Sequence, residues 1–129
     1  MARVSEETCQ KRGDALNSAE VAQLAVEVAS EKLAEDIVML DLRQLAPFTD
    51  YFVIMSGGSS RQLEALEDDI TQALREAGAR RFHREGTPAS GWILLDFSDV
   101  IVHIFGPEER EFYELERLWA QAPQVVRIL

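Results

Sequence analysis

Apolar residues recur at helical spacing in three stretches of this chain. The first begins at Ser18, a candidate N-cap, and its stripe is Ala22, Ala25, Val26, Ala29 and Leu33. The second is GGSSRQLEALEDDITQALREAG, in which Ser59 and Gln62 are spaced as a capping box and Gly78 stands where a C′ glycine belongs. The third begins at Pro107, and its stripe is Phe112, Leu115 and Trp119. The pattern therefore predicts three helices.

Runs of branched and aromatic residues between these helices predict strands. DIVMLDL and DYFVIMSG give two strands, RRFHRE a short third, and GWILLDFSDVIVHIF a hairpin of two more. The strand, helix and strand between residues 50 and 85 fit a right-handed parallel crossover, whereas the hairpin is antiparallel. The predicted fold class is therefore α/β, with a mixed sheet of about five strands and helices packed on it.

The ends of the chain lack such patterns. Residues 1–17 show no periodicity and predict a flexible leader. Pro123 is predicted to end regular structure, so that residues 121–129 form a C-terminal tail. These boundaries leave residues 18–120 as one folded domain, and 129 residues of which 47% are hydrophobic suit a single core.

The hairpin at residues 91–105 has two unlike faces. Pairing about Ser98 and Asp99 gives one wholly apolar face, composed of Ile93, Leu95, Phe97, Val100, Val102 and Ile104. The other face mixes aromatic, aliphatic and ionisable side chains, namely Trp92, Leu94, Asp96, Ile101, His103 and Phe105. We expect the first face to be core and the second to stay partly open for a partner. In the alternative, a helix covers the second face as well and leaves Asp96 as a buried, paired carboxylate.

Charge and composition narrow the class of partner. Thirteen Lys and Arg residues stand against twenty-three Asp and Glu residues, a formal charge of −10. This balance argues against direct wrapping of nucleic acid and suits docking on a basic protein. A single cysteine, Cys9, gives no disulfide framework and no metal-ligand spacing. Without a long apolar run or a signal-peptide pattern, the predicted location is the cytoplasm, away from membranes.

Two segments resemble catalytic sites. The segment SGGSS, from Ser56 to Ser60, lies between a strand and a helix and could present N–H groups to an anion, but it lacks the lysine of a phosphate loop. Asp96 and His103 are diagonal neighbours on the mixed face, which suits a hydrogen bond or an acid–base pair. No nucleophile accompanies them, and this arrangement is more typical of a structural or interface histidine. We therefore predict no catalytic residue, metal or cofactor; a nucleotide-binding or nucleotidyltransferase-like enzyme using SGGSS is the alternative.

Four blocks taken together resemble a known family. They are TDYFVIMSGGSSRQ, the EG pair at residues 85–86, GWILLDFSDVIVHIF and EEREFYELERLW. Their order and spacing are similar to those of the ribosomal silencing factor family, also called RsfS or Iojap-like proteins. The resemblance covers about residues 18–120.

The resemblance implies a translation repressor rather than an enzyme. It implies a fold with nucleotidyltransferase-like topology that lacks the active site. Members bind the large ribosomal subunit through a basic ribosomal protein, large-subunit protein number fourteen, and so block joining of the small subunit. They also tend to form homodimers.

Carried over by position, the family's hairpin block places a tryptophan, an aspartate and a histidine at Trp92, Asp96 and His103, and its last helix places a tyrosine at Tyr113. We predict that these side chains contact the partner and that Phe105 adds apolar area beside Trp92. Further matched positions, for which ion-pair and contact roles both stay open, are Asp50, Arg110 and Glu116. Two departures are Ser98, where the family often has glycine, and the additional 17-residue leader of unknown use.

Overall fold

The computed structural model describes residues 16–129, which contain four helices and six strands. The elements in order are α1 (Ser18–Glu31), β1 (Glu35–Asp41), β2 (Tyr51–Ser56), α2 (Ser60–Glu76), β3 (His83–Thr87), β4 (Trp92–Asp96), β5 (Val100–Phe105), α3 (Pro107–Tyr113), α4 (Leu115–Leu118) and β6 (Gln124–Ile128). The predicted leader lies outside the described residues except for Leu16 and Asn17. Asn17, rather than Ser18, caps α1, and it forms a capping box with Glu20.

The strands form one sheet in the order β3-β4-β5-β2-β1-β6. The pair β2 and β5 is parallel, and the other neighbouring pairs are antiparallel. The predicted mixed α/β fold is confirmed, with one strand more than expected. The strands β2 and β3 that α2 connects run parallel to each other in this sheet, as the predicted crossover requires, but they are not neighbours, because the hairpin strands β4 and β5 lie between them.

The hairpin has the predicted register. Ile93 pairs with Ile104 and Leu95 with Val102 on one face, and Trp92 pairs with Phe105 on the other. Ser98 adopts a left-handed conformation with φ of 76° in the turn, where glycine would be less strained. Alternation along the two strands therefore places their side chains as the sequence predicts.

The two sides of the sheet are covered differently. We call the side under α1 and α2 the helix-covered face; α2 buries its stripe there, through Leu63, Leu66, Ile70 and Leu74. We call the other side the aromatic face; its core includes Phe52 and Phe105, with Trp92 and Trp119 packed against them. Among the described residues, α3, α4 and loops cover the aromatic face.

Three local predictions are wrong. Residues 121–129 are not a tail, because Gln124–Ile128 forms β6 and pairs with β1. The last helix is broken at Glu114, which has φ of 45°, and the break leaves Phe112 79% exposed instead of in a buried stripe. Leu33 lies beyond the end of α1 in a left-handed conformation and is exposed.

Candidate partner-binding site

Trp92 lies half-buried at the start of β4 on the aromatic face. The centroid of its ring is 4.5 Å from that of Tyr113 in α3 and 5.0 Å from that of Phe105 in β5. Beside it is a hollow of about 230 Å³ that is lined by Glu85, Gly86, Ser90, Trp92, Leu94 and Tyr113. The hollow combines aromatic and aliphatic walls with polar edges, as binding sites commonly do.

Glycine is required next to this hollow. Gly86 has φ of 90°, and a Cβ added there would collide with the carbonyl oxygen of Trp92. Gly91 has φ of 81°, and a Cβ at that position would meet the carboxylate of Glu109. The close approach of β3 to β4 around Trp92 therefore depends on the EG pair found in the sequence.

His103 is only 4% exposed and holds the indole of Trp92. The indole N–H donates to His103 Nδ1 over 3.2 Å, and His103 Nε2 has no hydrogen-bond partner among the residues that the structure describes. Burial lowers the pKa of His103 from its ordinary value of 6.5 to about 3, so the imidazole is neutral near neutral pH.

Asp96 and His103, which the hairpin pattern allowed to form a hydrogen bond or an acid–base pair, do not contact each other in this way. Asp96 Oδ1 instead accepts from the backbone N–H of Ser98 over 2.7 Å, closing the hairpin turn. Asp96 is half-buried, so the alternative of a buried, paired carboxylate does not describe it. The polar partner of His103 is the diagonal neighbour on its other side, Trp92.

The predicted contact residues differ in accessibility. Trp92 and Asp96 are half-buried, and Tyr113 is 42% exposed. Phe105 is 0% exposed, and His103 is buried beneath Trp92, so neither offers surface to a partner in this conformation. The contact role of all five stays a prediction, and the surface that the chain presents comes from Trp92, Asp96 and Tyr113.

Arg110 forms an ion-pair cluster that fastens α3 and α4 to the sheet. Its Nη2 is 2.7 Å from Glu116 Oε2 and 3.3 Å from Asp36 Oδ2, and its Nη1 is 3.4 Å from Ser56 Oγ. Arg127 of β6 also pairs with Asp36, at 2.9 Å. Burial alone would raise the pKa of Glu116, but the hydrogen bonds and charge of Arg110 hold it below its ordinary value. These contacts support the structural reading of Arg110 and Glu116.

Asp50 is not part of that cluster. Its Oδ2 accepts from Ser18 Oγ over 2.7 Å, which joins the start of α1 to the start of β2. Asp50 therefore also makes a structural contact, between two elements that meet at one end of the sheet.

An aromatic row that the sequence pattern did not predict continues away from Trp92. The Phe52 ring lies edge-on to His103 at 4.6 Å between centroids, and Trp119 follows Phe52 at 5.7 Å. Phe48, 55% exposed, ends the row 6.1 Å from Trp119. The parallel pairing of β2 and β5 places Phe52 in this row, and that long-range pairing was the missing information.

Two backbone N–H groups of the SGGSS segment donate hydrogen bonds to other groups of the protein. The N–H of Gly57 donates to the carbonyl of Phe105 over 2.9 Å, and that of Gly58 donates to Gln62 Oε1 over 2.8 Å. Ser59 Oγ accepts from the N–H of Gln62 as the N-cap of α2.

In the part of the chain that the structure describes, no group of three or more His, Cys, Asp or Glu side chains is placed to hold a metal ion. The described helices also include none that has the length and apolar character to cross a membrane.

Comparison with known proteins decides the family. The family RsfS, described as ribosomal silencing factor during starvation, matches residues 15–128. This chain belongs to the RsfS family. The match includes β6, the strand that the sequence analysis assigned to a tail.

Individual relatives support the RsfS assignment. The ribosomal silencing factor RsfS of Halalkalibacterium halodurans is 36% identical over 110 residues, 85% of this chain and 94% of that protein. Mitochondrial assembly of ribosomal large subunit protein 1 of Mus musculus is 34% identical over 99 residues, 74% of this chain and 43% of that protein. A crystal structure of a Chromobacterium violaceum protein has a TM-score of 0.78 at 32% identity and covers 81% of this chain and 88% of that one.

Proposed function

We propose that this RsfS-family protein is a translation repressor that binds the large ribosomal subunit and sterically blocks joining of the small subunit. Large-subunit protein number fourteen is the proposed point of contact, and the cytoplasm the proposed place of action. The names of two relatives support the coarse part of this proposal, since one is called a ribosomal silencing factor and the other a large-subunit assembly protein. The geometry of the aromatic face supports a protein partner.

The half-exposed pair of Trp92 and Tyr113 beside the hollow is the observation that carries the proposal. Tryptophan and tyrosine concentrate at the energetic centres of protein interfaces because they bury large area while keeping a polar group. The two rings lie 4.5 Å apart on a face that, within residues 16–129, is covered by the short helices α3 and α4 and by loops. A steric block needs only occupancy, and a specific interface of roughly 1,600 Å² is within the reach of such a domain.

Charge favours a basic partner. The formal charge is −10, and Glu85 lines the hollow while Glu108 and Glu111 are exposed on α3 nearby. Opposite potentials speed encounter and fix orientation. A basic ribosomal protein meets this requirement, whereas direct binding of ribosomal RNA by this face would set carboxylates against phosphates.

The test is sedimentation of purified large and small subunits mixed with Mg²⁺, with and without excess protein. We expect the protein to travel with the large subunit and the joined particle to disappear. If it neither binds nor alters joining with ribosomes of its own organism, the repressor proposal is wrong. A melting experiment with ATP and Mg²⁺ then becomes the next measurement, because a ligand at 100 times its Kd adds about 2.7 kcal/mol to stability.

Two variants locate the surface. Trp92→Ala removes the central ring and should weaken large-subunit binding about thirtyfold, the equivalent of about 2 kcal/mol. Phe82→Ala is the matched control, since Phe82 is an aromatic residue that is 73% exposed but lies in the loop before β3, away from the hollow. If folded Trp92→Ala and folded Phe82→Ala bind large subunits equally well, Trp92 is not part of the proposed site. Dimerisation, which the family resemblance implies, stays a prediction.

A further inference from the structure

We propose that His103 is a positioning residue of the docking surface: its Nδ1 fixes the indole of Trp92 for the partner, and its own ring does not touch the partner. This inference rests on the proposed function, because it takes Trp92 as a contact residue. It changes the role of His103 from direct contact, as the sequence suggested, to action through a neighbour.

The hydrogen bond fixes the state of both rings. An indole N–H only donates, so His103 Nδ1 must accept, and the single proton of the neutral imidazole lies on Nε2. A doubly protonated ring would place two donors against each other and break the contact. The 3.2 Å bond therefore exists only with a neutral His103, the form that its apolar surroundings favour.

The surroundings of His103 keep its ring from moving. The ring plane of Phe105 is within 9° of that of His103 at 6.1 Å, and Phe52 lies edge-on at 4.6 Å. His103 Nε2 is buried and has no hydrogen-bond partner within residues 16–129, so histidine is not the side chain that packing alone would favour at this place. Nδ1 is the feature of His103 that a phenylalanine or leucine would not supply.

Positioning is useful because Trp92 is only half-buried. An exposed side chain that is free to change rotamer loses that freedom on binding, and this loss weakens affinity. Tyr113 and Phe105 contact the indole through ring packing, which restrains its plane but gives its Nε1 no acceptor. His103 supplies the directional contact that selects one orientation.

The first test uses the free protein and needs no ribosome. In ¹⁵N-labelled protein, the indole N–H signal of Trp92 is assigned by its loss in Trp92→Phe, and Trp119 supplies the internal reference. We expect His103→Phe to speed solvent exchange of the Trp92 indole N–H about tenfold, because the bond to Nδ1 is lost. His103→Asn should restore protection, since the amide oxygen of asparagine reaches the position of Nδ1. Unchanged exchange in folded His103→Phe overturns the proposal.

The second test is a double-mutant cycle for binding to large subunits. His103→Phe should weaken binding about fivefold in the natural background, the effect of one loosened side chain, and should have no effect in a Trp92→Phe background, where the donor is absent. An equal loss in both backgrounds would mean that His103 acts without Trp92 and would overturn the proposal. If His103→Phe does not fold, His103→Leu takes its place.

The two tests separate this inference from the proposed function. If the natural protein does not bind large subunits, the repressor function fails and the docking role of His103 fails with it. The exchange experiment then still decides whether Nδ1 fixes the indole. If the natural protein binds but the cycle shows no coupling, the repressor function stands and only the positioning role is wrong.

Discussion

The two faces of the sheet bury the same hairpin in different ways. On the helix-covered face, Ile93, Leu95 and Val102 are fully buried under α1 and α2, which are 14 and 17 residues long. On the aromatic face, α3 and α4 have only 7 and 4 residues, and Trp92 keeps part of its surface in solvent. The shorter covering helices therefore leave the aromatic face less completely buried than the helix-covered face, as the proposed docking surface requires.

The chemistry of the side chains follows the same division. The closed face is built mainly from aliphatic residues that need only packing. The aromatic face contains Trp92, His103 and Trp119, whose rings combine apolar area with a polar atom. Such amphipathic side chains suit the role proposed for this face, in which a partner covers it at some times and water at others.

Truncating a leucine on each face gives the largest expected difference. Leu66→Ala in α2 should lower the free energy of unfolding by about 3 kcal/mol, because Leu66 is fully buried and leaves a cavity. Leu118→Ala in α4 is the matched control and should cost less than about 0.5 kcal/mol, since Leu118 is exposed. Urea unfolding measures both. Equal losses would show that the burial of Leu66 does not set its contribution to stability.

Removing a cation from the aromatic face should have the next largest effect. Arg110→Met should lower the free energy of unfolding by about 2 kcal/mol, because Glu116 and Asp36 lose their buried partner. Arg117→Met removes an exposed arginine that pairs with Glu114 on the same helices and should be nearly neutral. If thermal melting ranks the two variants the other way, the Arg110 cluster does not hold α3 and α4 in place.

Acid should destabilise the aromatic face through His103. Its folded-state pKa of about 3 lies below the ordinary 6.5, so between these values the unfolded chain binds one more proton than the folded chain. The free energy of unfolding should therefore fall by about 1.4 kcal/mol per pH unit below pH ~6.

Denaturant titrations between pH 6 and 5, above the range of most carboxyl groups, measure this slope. His103→Phe should lack that part of it, whereas His83→Gln, which alters an exposed histidine of β3, should retain it. An identical slope in all three proteins would show that His103 titrates normally.

Salt should have the smallest effect, which is a change in the rate of association with large subunits. The change should depend on charged residues near the proposed surface. Raised ionic strength should slow association with large subunits several-fold, because it screens the attraction of an acidic chain to a basic partner. Neutralising Glu111 of α3 by Glu111→Gln should reduce this dependence more than Glu64→Gln does on the exposed side of α2. Stopped-flow on-rates at two salt concentrations provide the comparison, and equal slopes would count against the aromatic face as the docking side.

Local patterns predicted most of the fold. The alternation in GWILLDFSDVIVHIF gave the register of Ile93 with Ile104, and the stripe of α2 gave its buried residues. Strand β6 was missed because QVVRI follows a proline and gains its hydrogen bonds only from β1, at the far end of the sequence. The break at Glu114 was missed because its neighbours fit a continuous helix.

The candidate site was predictable only in part. Trp92 and Asp96 are both diagonal neighbours of His103, and pairing alone does not choose between them. The charge of Asp96 favoured it as the hydrogen-bond partner of His103. In the structure, Asp96 instead closes the hairpin turn, and the indole of Trp92 donates to His103. The ion pair between Arg110 and Asp36 in β1 joins distant segments, and no local pattern encodes it.

The pairing of β1 with β6 also sets the order in which the protein can mature during its own synthesis. Strand β1 leaves the ribosome early, whereas its outer neighbour is made from residues 124–128 near the other end of the sequence. Until those residues emerge, β1 is an apolar edge with unpaired backbone groups, which is a template for aggregation or chaperone binding. A nascent chain halted before residue 124 therefore remains vulnerable, although all the residues of its proposed docking surface have already been made.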